Sequence, residues 1–368
     1  MTLLKALLLA ALMLSPSLFS QDSSLSRRFY LATCGAGEGC GIRLMEAGGG
    51  AGLRSLQFLP LDFASYMAFS PDGKYLYVSL EHRKQGGLAS FQIGEDGFLS
   101  RRSELLTPGL DFCHLVAAPG GKYVYAASYG SGKLVQFDLE EGVLKDWRVV
   151  LSHEPVKEGD TPHLHCATLS PDGRNLCLVD LGLGVLESIP LEKDGSLRWE
   201  GLRRTRVAPP GSGPRHLVFS QKHPVAYLVN EIANTVMVWR YRQGDFELLQ
   251  SIPVAPAEPS EVDSYAAAIR LSPGERWLLV SNRGRDSLAA IPVVDGGLLE
   301  ASALVQHPVD KWPRDFAFLP GKEPMVAVAC ERAGTLQLFA WEEKTGLASQ
   351  PLREITGWKR PLAILPLP

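Results

Sequence analysis

A block of about fifty residues recurs six times along the chain, and this repeat restricts the possible fold more than any other feature. Each copy centres on a turn rich in Pro, Gly and Asp, followed by an alternating apolar strand. The turns begin at Ser70, Ala118, Ser170, Ser220, Ser272 and Leu319, at steps of 48, 52, 50, 52 and 47 residues. Strand-like stretches precede each turn and follow the second strand. Four short antiparallel strands per unit of this length are typical of a propeller blade.

The two ends of the chain complete this pattern. Residues Phe29 to Leu44 resemble the later strands of a blade, and residues Arg360 to Leu365 resemble a missing innermost strand. Joining them closes a seventh blade and removes the exposed edges that invite aggregation. The sequence therefore predicts an all-β, seven-bladed β-propeller closed by pairing of its N- and C-terminal segments. An irregular β-sandwich is the alternative, and the regular spacing of the copies argues against it.

The first twenty residues depart from the repeat. A short, weakly basic N-terminal region ends at Lys5, an apolar run extends from Ala6 to Leu14, and polar residues follow from Ser15. This is the plan of a secretory signal peptide, with an uncleaved anchor as the alternative. We expect a signal peptide at residues 1–20 and a single propeller domain at 21–368. The protein is then exported, periplasmic or secreted, with no stable membrane insertion after cleavage.

The composition and the absence of certain motifs exclude several classes of function. The formal net charge is −3, and no stretch interleaves Lys and Arg with aromatic residues, so nucleic-acid binding is not expected. The chain also lacks a G-x-S-x-G motif, a Cys/His nucleophile pattern and a phosphate-cradling Gly loop. Neither Cys34 with Cys40 nor Cys166 with Cys177 has zinc-ligand spacing, but export would permit each pair to form a disulfide. We expect a monomer.

Two positions in each copy collect polar and titratable side chains. Both lie where strands meet one face of a propeller, near its central channel. The entry to the innermost strand contributes Ser65, Tyr66, Cys113, His114, His165, Cys166, Arg215, His216, Arg314 and Asp315. The end of the second strand contributes Glu81, Tyr129, Asp180, Asn230, Glu231, Asn282, Arg283 and Cys330. We therefore expect a ligand site at one channel mouth.

For any single residue in these positions, a structural role at a strand end is the more common one. The joint set of His165, Arg215, Glu231 and Arg283 favours a functional site. Two arginines facing a carboxylate and an imidazole suit a small anionic, oxygen-rich ligand, or the oxyanion formed when water attacks a carbonyl. His165 or Glu231 would serve as the general base.

Several motifs at these positions resemble one known family. They are GSGPRHLVF with VNE, LLVSNRGRDSLA from Leu278, KWPRDFAF from Lys311, ASYGSGKLVQF from Ala127, and PHLHCATLSPDG. Together they are similar to the lactonase family of seven-bladed propellers, which includes bacterial 6-phosphogluconolactonases and fungal carboxy-cis,cis-muconate cyclases. The chain departs from the family pattern at Ala268, where an acidic residue is usual, and at Gly184 in the LGLGV stretch.

The resemblance implies catalytic or substrate-binding roles for His165, Arg215, Glu231 and Arg283, with no metal and no cofactor. We place a further set in substrate binding: His163, His216, Arg314, Tyr129 and Asp180. The expected activity is metal-independent hydrolysis of a sugar lactone, with a small anionic lactone or sugar acid as partner. One alternative is a non-catalytic propeller that binds a sugar acid or a protein. Another is a calcium-dependent propeller lactonase that uses Asn230, Asn282 and a carboxylate as oxygen ligands.

Overall fold

The protein folds as seven four- or five-stranded antiparallel sheets arranged in a ring. A computed structural model describes residues 27–48, 52–258 and 260–368. The innermost strand of each sheet contacts those of the two neighbouring sheets, and these contacts close the circle. The predicted seven-bladed propeller is confirmed, including the blade shared by the two ends. The predicted signal peptide lies outside the described residues.

The strands are assigned to blades as follows. Blade 1 contains β29 (Pro361–Pro366), β1 (Arg28–Thr33), β2 (Gly41–Ala47) and β3 (Leu53–Pro60). Blade 2 contains β4 (Ala64–Phe69), β5 (Tyr75–Leu80), β6 (Gln85–Ile93) and β7 (Leu99–Pro108). Blade 3 contains β8 (Phe112–Ala117), β9 (Tyr123–Ser128), β10 (Lys133–Glu140) and β11 (Val143–Ser152). Blade 4 contains β12 (Leu164–Leu169), β13 (Asn175–Asp180), β14 (Val185–Pro190) and β15 (Arg203–Arg206).

The remaining blades follow the same order. Blade 5 contains β16 (Pro214–Phe219), β17 (Val225–Asn230), β18 (Thr235–Arg242) and β19 (Asp245–Pro253). Blade 6 contains β20 (Tyr265–Leu271), β21 (Trp277–Arg283), β22 (Ser287–Pro292) and β23 (Val305–Pro308). Blade 7 contains β24 (Pro313–Leu319), β25 (Met325–Cys330), β26 (Thr335–Glu342), β27 (Gly346–Leu347) and β28 (Arg353–Ile355). Short 3-10 helices lie at Trp199–Gly201, Asp295–Gly297 and Ala301–Ala303.

The recurring Ser-Pro-Asp-Gly sequence forms the turn between the first two strands of a blade. In blade 2, the Ser70 hydroxyl donates to the Asp72 carboxylate at 2.6 Å and accepts from the Tyr75 amide at 2.9 Å. Gly73 has a φ of 70°, a conformation that glycine adopts without steric cost. Side-chain hydrogen bonds therefore fix the register of the hairpin, which explains why this turn marks the repeat.

Blades are joined by apolar side chains and by a repeated tyrosine contact. Tyr30, Tyr125 and Tyr227 are fully buried, and each hydroxyl donates to a glycine carbonyl in the next blade, at 2.7–2.8 Å. Burial of a large ring supplies hydrophobic stabilisation, and the hydrogen bond satisfies its polar end. The core is therefore distributed between blades, with no single centre.

All six cysteines are buried and free. In blade 4 Cys166 pairs with Val179, whereas Cys177 pairs with Thr168, so the two thiols are offset by two residues across the hairpin. The proposed Cys34–Cys40 and Cys166–Cys177 disulfides are not formed in this structure. Among the described residues, no helix has the length and apolar character needed to cross a membrane.

Closure of the ring depends on β29, and a truncation there should be costly. Ile364 is 1% exposed and packs between blades 1 and 7. We expect Ile364→Ala to lower the free energy of unfolding by about 3 kcal/mol, because it removes buried methylenes and leaves a cavity. Leu352→Ala, at a side chain that is 55% exposed, should change it by less than about 0.5 kcal/mol. Urea unfolding compares the two, and equal effects would contradict the closure by β29.

Candidate functional site

Every innermost strand has an irregular pairing near its entry, at the same level of the ring. The register skips a residue between positions such as Pro214 and His216 in β16, or Pro313 and Asp315 in β24. The skipped residues are Leu362, Ser65, Cys113, His165, Arg215 and Arg314, together with both Ala267 and Ala268 in β20. A bulge re-aims the side chain that it carries. This ring of bulges thus brings Arg215 and Arg314 to one end of the central channel.

Arg215 and Arg283 converge on one carboxylate. Glu231 accepts from Arg215 Nε at 2.9 Å and lies 2.8 Å from Arg283 Nη2. Backbone carbonyls hold the guanidinium groups in place, because Arg215 Nη1 donates to Ala267 at 3.0 Å and Arg283 Nε donates to Tyr265 at 3.2 Å. The arrangement joins blades 5 and 6 at the channel mouth. Arg215, Glu231 and Arg283, which the sequence predicted to share one site, are therefore adjacent in the fold.

The electrostatics of this trio favour its charged form. Burial acts to raise the pKa of Glu231, but Arg283 and Arg215 hold it below its ordinary value. Burial and the nearby charge of Arg215 lower the pKa of Arg283 to about 10, with Glu231 opposing the shift. All three groups are ionised at neutral pH. One carboxylate facing two guanidiniums leaves an excess positive charge, which suits an anionic ligand or a developing oxyanion.

A group of imidazoles occupies the channel below this trio. The His216 ring centroid lies 5.1 Å from those of His114 and His165, and Tyr66 stacks on His114 at 4.0 Å. Burial and the Arg215 charge lower the pKa of His114 to about 3 and those of His165 and His216 well below their ordinary value. These rings are therefore neutral. His165 is only 5% exposed and lies against Cys113, with Nδ1 3.9 Å from Sγ.

His163 lies closer to the rim than His165, and its orientation is fixed. Its ring stacks on Tyr129 with a centroid distance of 4.4 Å and an angle of 9°. His163 Nδ1 donates to the Tyr129 carbonyl at 3.0 Å. Because a carbonyl only accepts, this contact assigns the proton of the neutral ring to Nδ1 and leaves a lone pair on Nε2. Half-buried Tyr129 also contacts His165 edge-on, so it connects the rim to the channel.

Asp180, which the sequence placed among the substrate-binding residues, has a different position. It is 0% exposed, and its Oδ1 accepts from the backbone amides of His163 and Leu183 at 3.0 and 2.8 Å. Its other oxygen lies 2.6 Å from His153 Nδ1. Asp180 is therefore unable to contact a substrate, and it instead holds the loop that carries His163.

His153 completes this buried network, and the sequence reasoning missed it. Its Nε2 lies 3.0 Å from Glu187, so the ring bridges two carboxylates. Burial acts to lower the pKa of His153, but the hydrogen bonds to Asp180 and Glu187 raise it to about 9. His153 follows strand β11 outside the repeated positions, which explains why the fifty-residue spacing did not reveal it.

A second charged group lies on the rim. Arg314 Nη2 is 3.4 Å from Glu81, its Nη1 is 3.8 Å from Glu331, and Arg360 binds Glu331 at 2.7 Å. The sequence placed Cys330 in the position of Glu81 and Glu231, and this register was wrong by one residue. The β24–β25 hairpin is one residue longer than the β4–β5 hairpin, so Glu331 is the equivalent residue: its amide donates to the carbonyl of Trp312 as that of Glu81 donates to the carbonyl of Phe63. Cys330 is buried.

The asparagines of the calcium hypothesis lie at equivalent positions of two neighbouring blades. Asn230 and Asn282 are fully buried in blades 5 and 6, where their amide groups donate to Thr235 and to the carbonyl of Val254. Within the described ranges, no group of three or more His, Cys, Asp and Glu residues is arranged to hold a metal ion.

Comparison with known proteins agrees with the fold. Residues 28–361 match the family model described as lactonase, 7-bladed beta-propeller. The chain belongs to the seven-bladed β-propeller lactonase family. Its relatives include 6-phosphogluconolactonase of Bacillus subtilis, which is 32% identical over 291 residues, 77% of this chain and 81% of that protein.

Solved structures superpose on this chain over nearly the whole propeller. The periplasmic gluconolactonase of Pseudomonas aeruginosa has a TM-score of 0.81 at 26% identity, covering 93% of this chain and 99% of that one. A protein from Lactobacillus plantarum has a TM-score of 0.79 at 26% identity, covering 92% and 98%. The likeness therefore extends around the whole ring.

The His153 network makes a prediction about stability. Since the folded-state pKa of His153 is raised above the unfolded value, its contribution is fully present below about pH 6.5 and is lost as the pH rises through about 9. We expect the difference in free energy of unfolding between wild type and His153→Gln to shrink over this range. Urea titrations at pH 6, 7.5 and 9.5 measure it. A difference that stays constant with pH would contradict a charged His153.

Proposed function

We propose that this protein hydrolyses a sugar lactone, with the reaction at the channel mouth around Arg215, Glu231 and Arg283. The observation that carries the proposal is the single carboxylate of Glu231 held at 2.8–2.9 Å from two guanidiniums. Membership of the lactonase family and the names of the relatives from B. subtilis and P. aeruginosa support the reaction class.

Arg215 and Arg283 bind the lactone carbonyl. Attack by water turns this carbonyl into a tetrahedral oxyanion, and guanidinium N–H groups that are already oriented stabilise the new charge without reorganisation. Glu231 is 17% exposed at its side chain, and it keeps both arginines aimed at the same point. Because Glu231 is itself stabilised as an anion, it is a weak base, and we assign it an orienting role instead of the proton transfer first proposed.

His163 is the better candidate for the general base. Its Nε2 is left with a lone pair by the Nδ1 hydrogen bond to Tyr129, and the ring lies at the rim. His165 is buried beside Arg215, which holds its pKa low and weakens it as a base. We propose that His163 takes the proton from water and returns it to the ring oxygen that leaves. His163 thus takes the general-base role that the sequence predicted for His165.

We also propose that the substrate is met outside the cytoplasm. The signal-peptide plan of residues 1–20 supports export, and the P. aeruginosa relative is named as periplasmic. An exported enzyme meets unphosphorylated sugar lactones, so glucono-1,5-lactone is the first substrate to assay. The absence of turnover on all lactones, with binding of gluconate retained, would favour the non-catalytic alternative.

Removal of one arginine tests the oxyanion assignment. We expect Arg283→Ala to lower kcat/KM for glucono-1,5-lactone by about 100- to 1000-fold, the usual cost of losing one oxyanion donor. A pH-indicator assay, corrected for spontaneous hydrolysis, measures the rate, and circular dichroism checks folding. Arg148→Ala, which removes an exposed pair with Asp138 on the outer strands, is the matched control. Wild-type activity in folded Arg283→Ala would reject the proposed site.

A second variant tests the base. His163→Asn should lower kcat by about 100-fold or more, because it removes a positioned proton acceptor, and it should leave KM within a few-fold. His223→Asn, in the turn at the opposite end of β17, controls for loss of an imidazole. If His165→Asn lowers kcat while His163→Asn does not, the roles are those expected from the sequence.

A further inference from the structure

A second cavity lies immediately outside the proposed reaction centre. It has a volume of about 540 Å³, and Glu231 and Arg283 form part of its wall. The remaining lining comes from the segments that precede β20 and β24 and from the turns that follow β21 and β25, and includes Tyr265, Trp312, Asp263, Asp286, Lys311 and Arg332. Pockets of this size, about 300–1000 Å³, bury ligands larger than one hexose ring. A six-carbon lactone bound at Arg215 and Arg283 therefore leaves most of this cavity unfilled.

The backbone at Trp312 is held in an unfavourable conformation. Its φ is 67°, in the left-handed region, and the following residue is Pro313, which further disfavours helical conformations. Two hydrogen bonds impose this geometry: the Trp312 amide donates to Asp286 at 2.8 Å, and its carbonyl accepts from Glu331 at 2.9 Å. In blade 5 the same turn is made by Gly213, with a φ of 66°. The turn itself needs no side chain, so the indole at this point suggests a separate role.

The indole is presented to the cavity as a fixed surface. The Arg332 guanidinium lies 3.2 Å from the centroid of the Trp312 ring and covers part of it. Tyr265 lies at a centroid distance of 6.1 Å and an angle of 48°. Two aromatic rings therefore flank the space next to Glu231 and Arg283. Aromatic faces of this kind contact the C–H face of a sugar ring with little loss of conformational entropy.

The charges around the cavity balance. Three carboxylates (Glu231, Asp263 and Asp286) face three cations (Arg283, Lys311 and Arg332). A phosphate placed here would meet acids as well as bases. Hydroxyl groups donate and accept, so a neutral polyhydroxyl group can use both kinds of partner. The chemistry of the lining thus favours a neutral sugar over an anionic substituent.

We propose that this cavity is a second sugar subsite, and that the substrates are lactones of aldonic acids that carry a further neutral glycosyl unit. The inference rests on the proposed lactonase function. The lactone ring binds at Arg215 and Arg283, and the glycosyl unit packs on Trp312 and Tyr265. The subsite supplies binding energy remote from the carbonyl, which raises kcat/KM for the longer substrate.

The test compares cellobiono-1,5-lactone with glucono-1,5-lactone in the full-length protein. We expect kcat/KM to be at least tenfold higher for cellobiono-1,5-lactone. Trp312→Gly, which keeps the left-handed turn but removes the indole, should bring the ratio of the two values close to one. Phe63→Gly is the matched control, since Phe63 has a φ of 62° and the same position in blade 2, where it stacks on His82 away from this cavity. It should keep the wild-type ratio.

Three outcomes would overturn the subsite. These are equal kcat/KM values for the two lactones in the wild type, a larger value for 6-phosphoglucono-1,5-lactone, or an unchanged ratio in Trp312→Gly. If Trp312→Gly fails to fold, inhibition of the wild type decides: cellobionate should inhibit at least tenfold more tightly than gluconate. If no lactone is hydrolysed, the proposed function fails, and calorimetric titration with the same two acids still tests the subsite separately.

Discussion

Antiparallel pairing of the last strand with the first is the interaction on which the rest of this structure depends. Strand β29 joins β1 to form blade 1, and the ring of innermost strands closes only there. Every blade buries its faces against two neighbours, so an open ring would expose the apolar faces beside the gap. Closure also sets the diameter of the channel. It thereby fixes how close side chains from blades 5 and 6 come to one another.

Bulges convert this scaffold into a site. A regular strand alternates its side chains between two faces, whereas the extra residue in each innermost strand turns one further side chain toward the channel mouth. At this level blade 5 places Arg215 and blade 7 places Arg314, and the ends of the second strands supply Glu231 and Arg283. Each of these charged groups has an oppositely charged partner within the rim, which is how several buried ions are tolerated together. The site is thus built from one repeated backbone irregularity with different side chains.

The sequence predicted the fold because its signal is repeated: spacing, turn chemistry and alternation recur in each copy and agree with one another. It also predicted the meeting of Arg215, Glu231 and Arg283, since equal offsets from the turn become neighbours in a ring. It was wrong where a blade deviates. One added residue in the β24–β25 hairpin puts Glu331, and not the expected Cys330, at the position equivalent to Glu81. The sequence also did not show which side chains are buried, so Asp180 was assigned to ligand binding although it is fully buried. His153 lies outside the repeated positions and was therefore not identified.

The rim pairs around Arg314 have a consequence for the ring as a whole. Arg314 of blade 7 reaches Glu81 after blade 2's second strand, while Arg360, immediately before β29, is bonded to Glu331. These contacts span blade 1, where the two ends of the chain are joined, and they lie on the same rim as the proposed reaction centre. Ligand binding at that rim is therefore linked to the pairing of β29 with β1. A ligand that binds only the closed ring adds its binding free energy to the free energy needed to open the ring. A ligand bound at the rim thereby stabilises the closed ring that forms its own binding site.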